Sequence, residues 1–304
     1  MSSLQEIQQK LSSQLSSVIA IGNFDGVHLG HRAIMDQLLQ ISKTSGATPV
    51  VLILYPHPRE IFTGSSPALL TTLENRKKLI RQLGIEQVFD LTFDFTLSEY
   101  TAESILKAFQ QSFRMNHLVI GTTTHIGKNR QGTPEKIREI AGVAKFSVSV
   151  VGQREIDGKK ISSSSIRECI ARGEIKMAAK MLGRYYATQG IVNPGMGKGK
   201  SIGFPTANLS QIQTLVPVRG VYAGYALIEG QKYKAAINVG TRPTMTSSEN
   251  LVVEPHLLDF DRSIVGKELE IQWVERIRDE KKFGSIEELK IQIQKDIGKT
   301  NDIL

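Results

Sequence analysis

Apolar residues follow two alternating rhythms along the first half of the chain. Short β-rich runs, the strand candidates, fall at 18–21, 49–54, 87–91, 117–121 and 146–151. Between them, around 33–41, 72–83, 102–113 and 134–141, apolar positions recur every three or four residues, as on one face of a helix. Strands alternating with helices predict a parallel sheet covered on both faces, because a parallel strand needs a crossover and the crossover helix buries its apolar stripe. A further helical stretch at 165–182 closes this half, with Gly183 as its stop. From Tyr185 the rhythm changes. Strand candidates at 188–192, 222–228, 231–238, 252–260 and 267–274 alternate with Gly, Pro and Asn turns, which predicts an antiparallel barrel or sandwich. One amphipathic helix at 285–297 ends the chain, with Ser285 as N-cap and Glu288 three residues on, as in a capping box. Two domains are expected, 1–184 and 185–304.

The first strand runs into Gly22-Asn-Phe-Asp-Gly-Val-His-Leu-Gly-His31 and then into the first helix. A strand, a Gly-rich turn and a helix N-terminus aim backbone N–H groups at one spot, which suits an anion. Gly22, Gly26 and Gly30 permit close approach or positive φ. His28 and His31, three apart at a helix start, can face one pocket and donate to phosphate oxygens. A metal reading of this pair lacks further ligands at a recognisable spacing. In an open parallel sheet, ligands bind beyond the carboxyl ends of the strands, where this turn lies.

Composition adds bounds. The 304 residues suffice for two cores, and 40% hydrophobic with 22% charged residues is ordinary for a soluble globular protein. A single cysteine, Cys169, allows no intramolecular disulfide and fits a reducing compartment, so a cytoplasmic protein is expected. The first residues are polar, without the apolar core of a secretory leader, and no apolar run nears the roughly 20 residues that span a bilayer. A net charge of +8 and a pI near 9.4 suit nucleic acid, an anionic surface or phosphorylated small molecules. No long basic run and no basic stripe interleaved with aromatics occurs, so nucleic acid is not favoured.

Two further pieces lie in the first half. Ile161-Ser-Ser-Ser-Ser-Ile-Arg167 precedes a helix; its hydroxyls can cap that helix or bind phosphates, and Arg167 can clamp a phosphate bidentately. Tyr55-Pro-His-Pro58 is a rigid strand exit that can present His57. Together these motifs resemble the nucleotidylyltransferase superfamily, and within it the adenylyltransferase half of bacterial bifunctional riboflavin kinase/FAD synthetases. The resemblance implies a Rossmann-like domain in which the segment 22–31, including Phe24 and Asp25, binds ATP phosphates. Ser162, Ser163 and Ser164, the last where the family usually has Thr, bind the far end of the triphosphate with Arg167. It also implies attack of an FMN phosphate on the α-phosphorus of ATP, with His28, His31 and Arg167 stabilising the developing charge. One loop departs from the family pattern. Gly121-Thr-Thr-Thr-His-Ile-Gly-Lys-Asn-Arg-Gln-Gly132 keeps Gly121, Gly127, Arg130 and Gly132. It has Thr123 at an acidic or amide position, and Thr124 and Ile126 at two aromatic ones. This loop is associated with the flavin in the family, so His57 and Thr123 are the expected flavin contacts.

In the second half, Gly195, Gly197 and Gly199 alternate with Lys198 and Lys200, a basic loop able to cradle phosphates. Gly203-Phe-Pro-Thr-Ala-Asn208 follows; Pro205 forbids a P-loop helix, while Thr206 and Asn208, two apart on an extended chain, point the same way as magnesium and phosphate ligands must. Glu254, in Val253-Glu-Pro-His-Leu-Leu-Asp-Phe260, shares a strand face with His256 and, by alternation, Leu258. On residues alone it is either a salt-bridged surface carboxylate or a base held in a pocket. These segments, with Gly220-Val-Tyr-Ala223, Asn238-Val-Gly-Thr-Arg-Pro-Thr244 and Arg278-Asp-Glu-Lys-Lys-Phe283, resemble riboflavin kinase in order and spacing. The resemblance implies an antiparallel barrel kinase with Thr206 and Asn208 on Mg²⁺-ATP. Gly195, Lys198, Gly199, Lys200, Gly203 and Pro205 form the nucleotide cradle, Arg242 contacts the flavin, and Glu254 is the general base. The small-molecule partners implied are riboflavin, FMN and ATP, with no nucleic acid or membrane. The alternative keeps the kinase and gives the first domain weak or no FAD synthesis, on account of the 121–132 loop; a non-catalytic basic binding protein is the reading from another class.

Overall fold

The computed structural model describes residues 16–194, 198–242 and 250–304. Its contacts divide the chain after Ser162 into two compact units. In the first, β1 (Ser17–Gly22), β2 (Thr48–Tyr55), β3 (Gln87–Thr92), β4 (Met115–Gly121) and β5 (Ser147–Val151) form one parallel sheet in the order β3-β2-β1-β4-β5. Helices α1 (Leu29–Ser45), α2 (Pro58–Thr63), α3 (Leu73–Arg81), α4 (Phe95–Ser98), α5 (Ala102–Phe113) and α6 (Pro134–Ala144) complete the crossovers. Strand alternation builds two cores from one sheet. Ile19 and Ile21 join Leu106 and Phe109 of α5 and Ile137 of α6, while Val18 and Ala20 join Met35 and Leu38 of α1 and Ile80 of α3. The strand order reverses between β1 and β4, so the turn after β1 opens at the switch point of the sheet.

That turn is held by a buried ion pair. Arg76 Nη2 donates to Asp25 Oδ1 at 3.0 Å, and each side chain is only 3% exposed. Asp25 also accepts from the backbone N–H groups of Leu70 and Thr71 and from the Thr71 hydroxyl. The rest of Arg76 is engaged as well: Nη1 donates to the Asn23 carbonyl at 2.6 Å and Nη2 to the Thr71 carbonyl at 3.1 Å. A desolvated pair is favourable only when its remaining hydrogen bonds are met, and here both partners are embedded in further bonds. The 22–28 turn is thereby fixed to the start of α3.

The second unit begins with α7 (Ser163–Ala171) and α8 (Ile175–Leu182). The single helix expected over 165–182 is therefore two. Gly173, at φ +75°, makes the break, and a Cβ there would fall 2.6 Å from Arg276 Cδ. The strands β8 (Tyr186–Asn193), β9 (Asn208–Ser210), β10 (Gly220–Ile228), β11 (Gln231–Arg242), β12 (Asn250–Leu257) and β13 (Glu268–Arg278) close an antiparallel barrel in the order β10-β11-β12-β9-β8-β13. A four-residue helix, α9 (Lys198–Ser201), precedes β9, and a hairpin of β6 (Glu155–Ile156) and β7 (Lys159–Lys160) ends the first unit. Inside the barrel Trp273 donates Nε1–H to Thr188 Oγ1 at 3.2 Å and meets Tyr222 edge-on at 5.2 Å. The Tyr222 hydroxyl donates to the Val218 carbonyl, and burial pushes its pKa up to about 12. The last helix, α10 (Ile286–Ile303), is tied to β13 by Arg278, whose Nη2 lies 2.7 Å from the buried Asp296. Ser285 caps it as expected, but Glu288 reaches back to Gly284 N–H rather than to the N-cap residue.

Two stability predictions follow from these contacts. Arg76→Met leaves Asp25 buried and uncompensated, and should lower unfolding free energy by about 3–5 kcal/mol in urea titration, against under ~1 kcal/mol for a pair that contributes little. A hydroxyl whose pKa is raised on folding stabilises the protein below the unfolded value and loses that contribution above it. Stability of the barrel should therefore fall as pH rises from 10 toward about 12, and Tyr222→Phe should flatten that fall in alkaline thermal melts.

Candidate active sites

In the first unit, only Gly26 of the three turn glycines takes a positive φ, +84°. Gly22 and Gly30 are needed for closeness: a Cβ at Gly22 would lie 3.1 Å from the Phe24 ring, and at Gly30 3.1 Å from the His28 ring. Phe24 and Val27 hold left-handed φ values of +48° and +40°, a conformation that costs bulky residues energy and persists where surroundings impose it. The side chains of Phe24 and Asp25, expected above among the phosphate contacts, are buried as the frame of this turn. Phe24 packs edge-on against His31 at 5.3 Å.

His28 is the N-cap of α1, its Nδ1 accepting from His31 N–H at 3.3 Å. A neutral His28 ring therefore carries its proton on Nε2, which is the donor it can offer a ligand. The two imidazoles stack at 3.6 Å and 17°. The Ile161 carbonyl lies 3.8 Å from the Cβ position of Gly30, which brings the start of the serine run to the turn within this unit. Ser162 follows it; Ser163, Ser164 and Arg167 stand on the first turns of α7, in the second unit. His57 caps α2, its Nδ1 accepting from Arg59 N–H at 3.1 Å, at the exit of β2.

In the 121–132 loop Ile126 and Thr124 make contacts within the frame of the unit. Ile126, at an aromatic position of the family, is 5% exposed, packs in the sheet core and exchanges two backbone hydrogen bonds with Gly132. Thr124, at the other aromatic position, accepts from Gly121 N–H at 3.1 Å and caps β4. Gly127 and Gly132 are required, since a Cβ at either would fall 2.4 Å from backbone atoms. Thr123 is exposed, and Arg130 Nη2 lies 3.1 Å from His125 Nδ1.

In the second unit β12 carries Glu254 opposite Asn238 of β11. Val253 and Leu257 face the core while Glu254 and His256 are half-buried on the other side; β12 ends at Leu257, so Leu258 leaves their face and is buried. The same strand binds the Thr206/Asn208 segment: Val253 pairs with Leu209, Ala207 N–H donates to the Pro255 carbonyl at 2.9 Å, and His256 Nδ1–H donates to the Pro205 carbonyl at 2.7 Å. Asn208 opens β9 opposite Asn193 and is buried, whereas Thr206 precedes the strand and is exposed, so strand alternation does not govern the pair. Gly199 lets the 204–206 backbone close in beside it: a Cβ there would fall 2.4 Å from the Phe204 carbonyl and 3.2 Å from Thr206 Oγ1. Gly203 takes φ +92° and Phe204 N–H returns to the Gly199 carbonyl at 2.8 Å. Lys198, Lys200 and Arg242 lie in α9 and at the end of β11; Gly195 and the 243–249 segment lie outside the described residues. Thr206 and Asn208 offer neutral oxygens, a donor set that suits a magnesium ion drawing its other ligands from phosphate and water.

Arg76 and Thr71 escaped the motif reading, although Arg76 falls four residues before Ile80 on the buried face of α3, where a lone charge calls for a buried partner.

Among known proteins, the FAD synthetase family model matches residues 10–165 and the riboflavin kinase model residues 182–304. Bifunctional riboflavin kinase/FMN adenylyltransferases from Listeria monocytogenes and Bacillus subtilis are each 34% identical, covering 93% of this chain and 91% of their own. The Escherichia coli K12 protein of that name is 32% identical with the same coverage. A crystal structure described as a macrolide-efflux protein from Streptococcus pneumoniae superposes with a TM-score of 0.89 at 28% identity, over 97% of this chain and 96% of its own. No helix among the described residues is long and apolar enough to cross a membrane. The chain belongs to the bifunctional riboflavin kinase/FMN adenylyltransferase family.

Proposed function

We propose that the barrel unit phosphorylates riboflavin to FMN and that the α/β unit adenylylates FMN to FAD, with ATP as the donor in both. The observation that supports this reading is the bonding of the Glu254 strand to the Thr206/Asn208 segment. In the kinase step the ribityl 5′-hydroxyl attacks the γ-phosphorus while its proton passes to the Glu254 carboxylate, and the bond to ADP breaks. Lys198, Lys200 and the backbone around Gly195, Gly199, Gly203 and Pro205 hold the phosphates, and Arg242 contacts the flavin. Thr206 and Asn208 would hold Mg²⁺, which when bound neutralises phosphate charge and aligns the chain for in-line attack.

In the adenylylation step an FMN phosphate oxygen attacks the α-phosphorus and pyrophosphate leaves, without a covalent enzyme intermediate. His28 and His31 donate to the reacting phosphate from the α1 N-terminus, between Gly22, Gly26 and Gly30. Ser162 takes the far end of the triphosphate, and His57 and Thr123 contact the flavin. Loss of this activity through the 121–132 loop is the weaker alternative: Ile126 and Thr124 serve the frame of the loop, which leaves Thr123 as the one substitution facing outward of the three. ATP-dependent flavin chemistry and a lone buried thiol suit a cytoplasmic enzyme.

Separate sites make separable losses the expected result. Glu254→Gln should cut FMN formation by roughly 100-fold or more and leave FAD formation from supplied FMN intact. His31→Ala should cut FAD formation by roughly 100-fold to 1,000-fold and leave FMN formation intact. Chromatography of flavin products from each variant checks both; equal loss of the two activities in either variant would contradict the assignment.

A further inference from the structure

We propose that Arg32, assisted by Asn23, is a further binding residue of the N-terminal site, taking a phosphate oxygen of its substrates; the inference rests on the adenylylation reading above. Helix α1 packs Met35, Leu38 and Ser42 toward the sheet. Arg32 stands three residues before Met35 and four after His28, so helical phase puts it at the head of that buried stripe, beside the histidine pair. This is the end of the helix where β1 passes into the 22–28 turn. A guanidinium at such a position needs an acceptor. Arg32 Nε is buried and has none among the described residues, and Asn23 Oδ1, on the turn itself, is likewise buried without a donor.

The contrast with Arg76 makes the case. Arg76 serves the same turn from α3 and meets Asp25, Thr71 and the Asn23 carbonyl. It accounts for the carboxylate of the turn and for the backbone of Asn23, leaving the Asn23 side chain and Arg32 with no structural duty in that network. Buried polar atoms in folded proteins are almost always paired, and an unpaired donor on a cationic group is among the costliest exceptions. A ligand oxygen carrying negative charge would satisfy Arg32 by a charge-assisted bond. The Asn23 amide would meet a hydroxyl or amine of the same ligand. Both substrates carry phosphate, the triphosphate of ATP and the monoester of FMN, and the inference is to that shared chemistry.

The test is steady-state FAD formation from supplied FMN, with KM measured for each substrate. Arg32→Gln should raise KM for one of them by roughly 10-fold to 100-fold, while FMN formation from riboflavin stays unchanged. A rise for ATP identifies the triphosphate as the ligand, and a rise for FMN identifies the acceptor phosphate; either supports the inference. Arg32→Lys, which keeps the charge but lacks the Nε–H, should show a smaller rise for the same substrate. Unchanged KM values for both substrates, with only a lowered melting temperature, would overturn it. Should Arg32→Gln fail to fold, Asn23→Ala serves in the same assay, the turn being held there by backbone: a raised KM supports the inference and unchanged values overturn it. Wild-type protein that makes no FAD from FMN would instead remove the reading on which the inference stands.

Discussion

The α/β unit depends on one desolvated contact, the Asp25–Arg76 pair. The turn it holds contains two bulky residues in left-handed backbone and two stacked imidazoles, none of which would persist on an unsupported loop. Asp25 receives hydrogen bonds from Leu70 and Thr71 and a charge from Arg76, so the turn is fixed from a segment more than forty residues away in sequence. With the turn fixed, His28 caps α1 through Nδ1, which leaves the proton of a neutral ring on Nε2. Preorganised donors at a helix N-terminus are what a transferring phosphoryl group requires, because nothing then has to reorganise as charge develops. The ion pair acts on the turn by geometry, through Asp25 and the backbone around it.

The barrel unit reaches a comparable end by strand pairing. β12 is shared between β11 and β9, so a single strand sets Glu254 opposite Asn238 on one side and holds the Thr206–Asn208 segment on the other. Gly199 completes this arrangement by having no side chain where Phe204 and Thr206 close in. Glu254 and the Thr206–Asn208 segment are thus both tied to one strand. In the proposed reading the two units meet the same requirement, polyphosphate near a reacting oxygen, with a helix N-terminus in one and a barrel loop in the other.

Much of this was legible in sequence. The central strands announced themselves because β1 and β2 are buried on both faces, which makes continuous aliphatic runs, and α5 runs over the same 102–113 that its periodicity marks. The strand–turn–helix layout at 22–31 was legible because its signals are local. Three things were not. The pairing of Asp25 with Arg76 is a long-range contact with no local mark beyond a charge on an apolar helix face. The break at Gly173 depends on Arg276 of β13, which occupies the space a side chain there would need. The substitutions in the 121–132 loop looked like losses of flavin contact, yet Ile126 faces the core and Thr124 caps a strand, and only packing reveals which side of a loop a residue serves.

The central claim is that one chain carries two flavin-directed phosphoryl-transfer sites. The most direct test gives the purified wild-type protein riboflavin with ATP and Mg²⁺ and follows products by chromatography over time. The account predicts FMN appearing first with ADP, then FAD with pyrophosphate, and FAD directly when FMN is supplied. Accumulation of FMN with no FAD from either starting flavin, or no flavin phosphate at all, would contradict it.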